Sequence, residues 1–236
     1  MTNCDQAMTA LEALGSRRTK QIYLRRGARE PLFGVATGAM KPLFRQIKLN
    51  QTLAEQLYAT GNYDAMYFAG MIAEPQAMTE ADFERWIAGA YCAMLGDWVV
   101  AVTLAEADCA QVVANRWIDS GQELPASAGW SCYQWLLGWR ADEAFDRDKL
   151  AKLLDLVVQT IHDQPESVRQ AMHGFVVAVG VSYLPLHDEA VLAAKAIGAV
   201  TITGPKGAPV MRSAADQIQK AKDKGRLGFK RRAVRC

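Results

Sequence analysis

Met78-Thr79-Glu80-Ala81-Asp82-Phe83-Glu84-Arg85-Trp86-Ile87-Ala88-Gly89-Ala90 reads as one short amphipathic helix with its start written into it. Thr79 is a residue of the N-cap type, and Glu80 and Asp82 place negative charge in the first turn, where the helix dipole favours it. Phe83, Trp86, Ile87 and Ala90 recur at helical spacing and make one apolar face. Glu74-Pro75 stops the preceding segment, because proline restricts the residue before it. The same grammar of cap, apolar stripe and stop recurs in both directions. Thr2 or Asn3 caps a helix closed by Gly15, and Ser16 caps a second closed by Gly27. Further helices are predicted over 37–49, from Asn50 to the Gly61-Asn62 break, and over 63–73. Others follow over 97–105, 108–119, 129–137, 147–161, 165–183 and 188–197, and Ser213 caps a last one to Lys224. One stretch departs from the pattern: Ala199-Val200-Thr201-Ile202-Thr203 is β-branched, and Gly204-Pro205-Lys206-Gly207 is a turn leading back through Pro209-Val210. The expectation is one domain over 1–236, all-α, a superhelical solenoid of antiparallel helix pairs with one short β-hairpin near 199–212.

Composition narrows the function classes. Half of the 236 residues are hydrophobic, which excludes a disordered chain. The longest apolar run, Trp98–Ala105, is far short of the roughly 18 residues of a membrane span. No secretory signal opens the chain, so a cytoplasmic protein with reduced thiols is expected. The cysteines Cys4, Cys92, Cys109, Cys132 and Cys236 and the histidines His162, His173 and His187 are scattered, so neither a metal nor a cofactor is expected. Phosphate-loop, dinucleotide, zinc-protease and nucleophile-elbow motifs are absent.

The net charge of +2 conceals an asymmetry. Acidic residues dominate between Gly61 and Pro165, whereas the ends are basic. Arg17, Arg18, Lys20, Arg25, Arg26 and Arg29 crowd one end, and Lys220, Lys222, Lys224, Arg226, Lys230, Arg231, Arg232 and Arg235 the other. End-loaded charge of this kind matches a polyanion, nucleic acid first, although a solvated helix face reads the same way. Leu227 and Phe229 among the tail cations predict a tail docked on the body. The candidate DNA contacts are Arg17, Arg18, Lys20, Arg25, Arg26, Lys41, Arg140, Arg226, Lys230, Arg231, Arg232 and Arg235.

Two readings stand for Asp97, beside Trp98 and after Tyr91: a carboxylate that stabilises a cation or activates water, or the N-cap of the 97–105 helix. Tyr91, Trp98, Trp130 and Trp139 are the aromatic candidates for stacking on bases, against the plainer role of core residues.

An ordered series of segments resembles the DNA alkylation repair family of HEAT-like repeat proteins. It runs from Ala28-Arg-Glu-Pro-Leu-Phe-Gly-Val35 and Met40-Lys-Pro42 through Ala54–Leu57 and Gly61-x-Tyr63-x-Ala65. Ile72-Ala73-x-Pro75, Met78-Thr79-x-x-x-Phe83-x-x-Trp86 and Ser127-Ala-Gly-Trp-Ser-Cys-Tyr133 continue it. Val168-Arg-Gln-Ala171 and Lys224-Gly-Arg-x-Gly-Phe-Lys-Arg231 close it. The resemblance implies a HEAT-like solenoid holding duplex DNA on a basic concave face. In the AlkD-like glycosylases of that family an aspartate, an arginine and tryptophans release cationic N-alkylated purines without a metal. Asp97 matches the aspartate. The tryptophan before it falls on Ala93, with Tyr91 or Trp98 as substitutes. The arginine falls near Cys132 or Tyr133, next to Trp130, and the later tryptophan near Gly174 or Phe175. Three functions follow: a monomer binding duplex, alkylated or branched DNA with base excision left open, an alkylpurine glycosylase using Asp97, or a helical scaffold for a protein partner.

Overall fold

The computed structural model describes residues 3–203 and 209–235; Thr2 and the turn expected at Gly204–Gly207 lie outside them. The chain divides into two compact units, Met1–Val113 with Arg235–Cys236, and Ala114–Val234.

The first unit contains α1 (Cys4–Ala13), α2 (Arg17–Leu24), α3 (Thr37–Ile47), α4 (Gln51–Ala59), α5 (Tyr63–Ile72) and α6 (Glu80–Gly89). Its starts follow from their caps. Asn3, Ser16, Asn50, Asn62 and Thr79 each accept a main-chain N–H of the turn they open, and Thr79 and Asp82 cap one another reciprocally. Helices α4 and α5 form an antiparallel pair: the N–H of Asn50, at the start of one, donates to Ile72 O, at the end of the other, over 2.7 Å. Alternate helices then stack into two layers. α3 packs on α5. In the other layer Tyr58 of α4 stacks on Trp86 of α6 at 4.2 Å and donates to its carbonyl, while Arg85 pairs with Glu55.

A continuous helical run follows, made of α7 (Ala93–Leu95), a π-helical turn at Gly96–Val100 and α8 (Ala101–Leu104). Asp97 lies inside this run, so its reading as the N-cap of a 97–105 helix is corrected: the helix is already under way at Ala93. α9 (Ala110–Ile118) comes next.

The second unit contains α10 (Glu123–Leu137), α11 (Arg147–Thr160), α12 (Glu166–Ser182) and α13 (His187–Ile197). The hairpin β1 (Ala199–Thr203) with β2 (Pro209–Ser213) and α14 (Ala214–Asp223) complete it. α10 begins six residues before the expected 129, and Pro125 falls in its first turn, where the main-chain N–H has no helical acceptor to lose. The predicted hairpin is antiparallel, with Val200 opposite Arg212 and Ile202 opposite Val210. Layering recurs: α12 packs between α10 and α14, and α11 packs on α13, where Arg147 pairs with Glu189. α10 and α12 run in the same direction, since Ser127 meets Ser167 and Gln134 meets Ala171. Like-directed alternate helices are the mark of stacked helix pairs. Among the described residues no single helix is long and apolar enough to cross a membrane.

Candidate nucleic-acid interface

The Ala28–Val35 segment is a loop with an unusual anchor. Asp64, fully buried at the start of α5, accepts the main-chain N–H groups of Phe33 (2.6 Å), Gly34 (2.9 Å) and Val35 (2.8 Å). Tyr23 Oη donates to Val35 O, and the Tyr63 N–H to Pro31 O. Gly34 has a φ of +81°, and a Cβ there would sit 2.4 Å from Lys20 N, so only glycine lets the loop close on α2. Thus held, the loop places the Arg29 guanidinium 4.2 Å from the Tyr91 ring centroid, a cation–π contact.

Beside this loop the N-terminal cations sort themselves. Lys20 pairs with Glu30 at 2.8 Å, which offsets its charge. Arg17, Arg18, Arg25 and Arg26 are exposed and, among the described residues, in no ion pair. Arg18 and Arg25 are seven residues apart, two helical turns, and so share one face of α2. Lys41 is also exposed, and α3 adds Arg45 and Lys48, likewise exposed at spacings of four and three. Those two lie in a stretch whose apolar stripe dominates its pattern, so the sequence alone does not single them out.

Asp97 is half-buried in the π-helical turn and Trp98 beside it is half exposed. Such turns are frequent at functional sites. Two of its neighbours are poor bases and nucleophiles at neutral pH. Burial pushes the Tyr91 phenol up to about 12, and it pushes the Cys92 thiol up as well, so both keep their protons.

In the second unit the cations gather at the end of α10. Arg140 lies 4.4 Å over the Trp139 ring, and Arg231 lies 5.0 Å over Trp135. The Arg231 N–H donates to Gly138 O, and Lys230 Nζ donates to Leu137 O while pairing with Asp142 at 2.8 Å. A lysine at these last carbonyls satisfies acceptors that the helix itself cannot. The tail is therefore docked, as its interspersed apolar residues predict, but not by all of them. Leu227 is half-buried and Val234 buried, whereas Phe229 is 65% exposed. Arg226 and Arg232 are exposed. Arg235, in the first unit, is committed to a carboxylate and two carbonyls: Nε reaches Glu106 at 2.9 Å, and Nη1 reaches Gly70 O and Ala73 O.

Trp130 is buried against Phe175 at 5.1 Å and is a core residue. Trp139 and Tyr91 are half-buried, each beneath an arginine. Trp135, outside the expected aromatic set, makes the same kind of pair. The positions where an AlkD-like site would carry its arginine and later tryptophan hold other residues. Cys132 and Tyr133 are fully buried, with Tyr133 Oη donating to Asn115. Phe175 is fully buried too, and a Cβ on Gly174 would come within 2.2 Å of Gln134 Oε1.

A family model described as "DNA alkylation repair enzyme" matches residues 7–202. The chain belongs to that family. Two uncharacterized proteins, of Listeria innocua serovar 6a and Listeria monocytogenes serovar 1/2a, are 27% and 28% identical to it. Each alignment spans 233 residues, 95% of this chain and 99% of the relative. A solved structure described as "A new family of proteins related to the HEAT-like repeat DNA glycosylases with affinity for branched DNA structures" is 57% identical. It aligns with a TM-score of 0.94 over 100% of both chains. This member of the family thus has the HEAT-like repeat fold, and the layered helix pairs within each unit are its repeats.

Proposed function

We propose that this protein binds branched DNA through its exposed cations and does not excise bases. The observation that carries the proposal is the 57% identity, over the full length of both chains, to a protein described as having affinity for branched DNA structures. Exposed Arg17, Arg18, Arg25, Arg26 and Lys41 in one unit, and Arg226 and Arg232 in the other, supply the phosphate contacts. Arg235, Lys230 and Lys20 spend their charge within the protein and contribute less. Binding without excision is supported by the chemistry the site lacks. Asp97 remains, but Ala93 is too small to stack, and buried Cys132, Tyr133 and Phe175 stand at the other positions. A carboxylate alone, with no arginine or tryptophan at those positions, gives little of the differential stabilisation that excision of a purine needs.

The test is binding to a three-way junction and to a duplex of equal length across a salt series. Affinity falls with rising salt, and Arg18→Ala with Arg25→Ala lowers the log–log slope by about 2, one phosphate contact each. Binding that is absent at low salt, or indifferent to salt, overturns the proposal. Release of methylated purines from alkylated duplex above background, lost in Asp97→Asn, overturns the exclusion of excision.

A further inference from the structure

The end of α10 carries two arginine–indole pairs, Arg140 with Trp139 and Arg231 with Trp135. The indoles are four residues apart, and the chain keeps its helical course past α10, with the N–H groups of Trp139 and Arg140 both bonded to Leu136 O. Both rings therefore rise from one side of this helix end. The arginines reach them by separate routes, one from the next residue along and the other from the tail. Arg231 is also pinned through its backbone to Gly138 O, and the adjacent Lys230 to Leu137 O. The tail thus delivers one guanidinium to one ring and holds it there.

A phosphate contact does not need an aromatic backing, because a lysine or an unbacked arginine makes it. A ring-backed guanidinium offers something else: a planar face, held in place, on which a flat heterocycle stacks. Bases within a continuous duplex are already stacked on both faces. Those at a branch point or a bulge are not.

We propose that Arg231 and Arg140, backed by Trp135 and Trp139, form a stacking platform for unpaired nucleobases. This rests on the DNA-binding reading above and assigns its preference for branched over continuous duplex to named residues. Phosphate contacts supply affinity common to every DNA, and the platform adds affinity only where a base is free to stack.

The double variant R140K/R231K keeps both charges and removes both planar groups, and it leaves the main-chain bonds of these residues intact, so the fold is retained. It is compared with wild type on a perfect duplex and on the same duplex carrying unpaired adenines, one replaced by 2-aminopurine. Duplex affinity and its salt slope are expected to stay within about twofold, while affinity for the bulged DNA falls about tenfold. The 2-aminopurine emission change seen with wild type disappears in the variant. Equal weakening on both DNAs, or none on either, overturns the platform. Failure of the wild type to bind either DNA at low salt overturns the DNA-binding reading instead, so the two failures are told apart.

Discussion

Replacing Asp64 by alanine removes the anchor of the Ala28–Val35 loop. Its carboxylate is fully buried and accepts three main-chain N–H groups, from Phe33, Gly34 and Val35. A hydrogen bond to a charged group contributes about 1.5–3 kcal/mol, so the three together set an upper bound of about 5–9 kcal/mol. Removing the carboxylate also returns the several kcal/mol spent on its desolvation, and the loop relaxes toward water. The expected net loss is about 3–5 kcal/mol, a large part of the roughly 5–15 kcal/mol typical of a folded domain. Asp64→Asn keeps the shape but turns an amide donor toward main-chain donors, and about 2–3 kcal/mol is expected there. Urea unfolding followed by circular dichroism gives both values, and trypsin cleavage after Arg29 reports release of the loop. A loss below about 1 kcal/mol in Asp64→Ala refutes the reasoning, since surface-like tolerance means the anchor lies elsewhere. So does a loop that stays protected while stability falls.

Stability also responds to pH through His173, which is buried in α12 and whose imidazole is pushed down from 6.5 to about 4, first by burial and then by Arg212. The unfolded chain binds the extra proton first. Stability is therefore complete above about 6.5 and is lost as pH falls toward 4, by about 3 kcal/mol in all. Urea midpoints between pH 7.5 and 4.5 fall less steeply in His173→Gln; parallel slopes would disprove it. Two glycines separate rigid from yielding contacts. A Cβ on Gly129 meets the Ala114 carbonyl at 2.6 Å, while one on Gly174 meets the movable end of Gln134. Gly129→Ala is expected to cost about 2–3 kcal/mol in thermal unfolding. Gly174→Ala is near neutral, because the lost Gln134 bond of about 1 kcal/mol is offset by alanine's helix preference. The reverse order would show the backbone at Ala114 to be the softer neighbour.

Local chemistry was legible wherever one residue decides an outcome with its immediate neighbours. Asn3, Ser16, Thr79 and Ser213 announce helix starts by side-chain type, and each accepts the expected N–H. The β-branched run at Ala199–Thr203 likewise announces its strand. Asp97 misleads for the same reason. An aspartate after glycine looks like a cap, while the π-helical turn that contains it depends on tertiary packing, with Gly70 close enough that a Cβ would come within 2.7 Å of Val99. The Ala28–Val35 motif stands out in the sequence, but its anchor lies about 30 residues away and is indistinguishable there from any first-turn acid. The arginine–indole pairs are split in the same way. Arg231 reads as one cation in a basic tail, and only the bond from its N–H to Gly138 O shows which ring it covers. Phe229 shows the limit of the hydrophobic rule, since a lone exposed aromatic in a tail needs no pocket.

The clamp of Arg235 on Glu106, Gly70 and Ala73 has a consequence in time. Glu106 and Arg235 are separated by 129 positions along the chain. Translation at about 5–20 residues per second puts about 6–26 s between their emergence, longer than helices need to form and pack. Throughout that interval the carbonyls at the end of α5 and the Glu106 carboxylate have only water to bond. A nascent chain can therefore carry nearly all of its first unit in place while one anionic, hydrated socket stays open, and the arrival of Arg235 closes it.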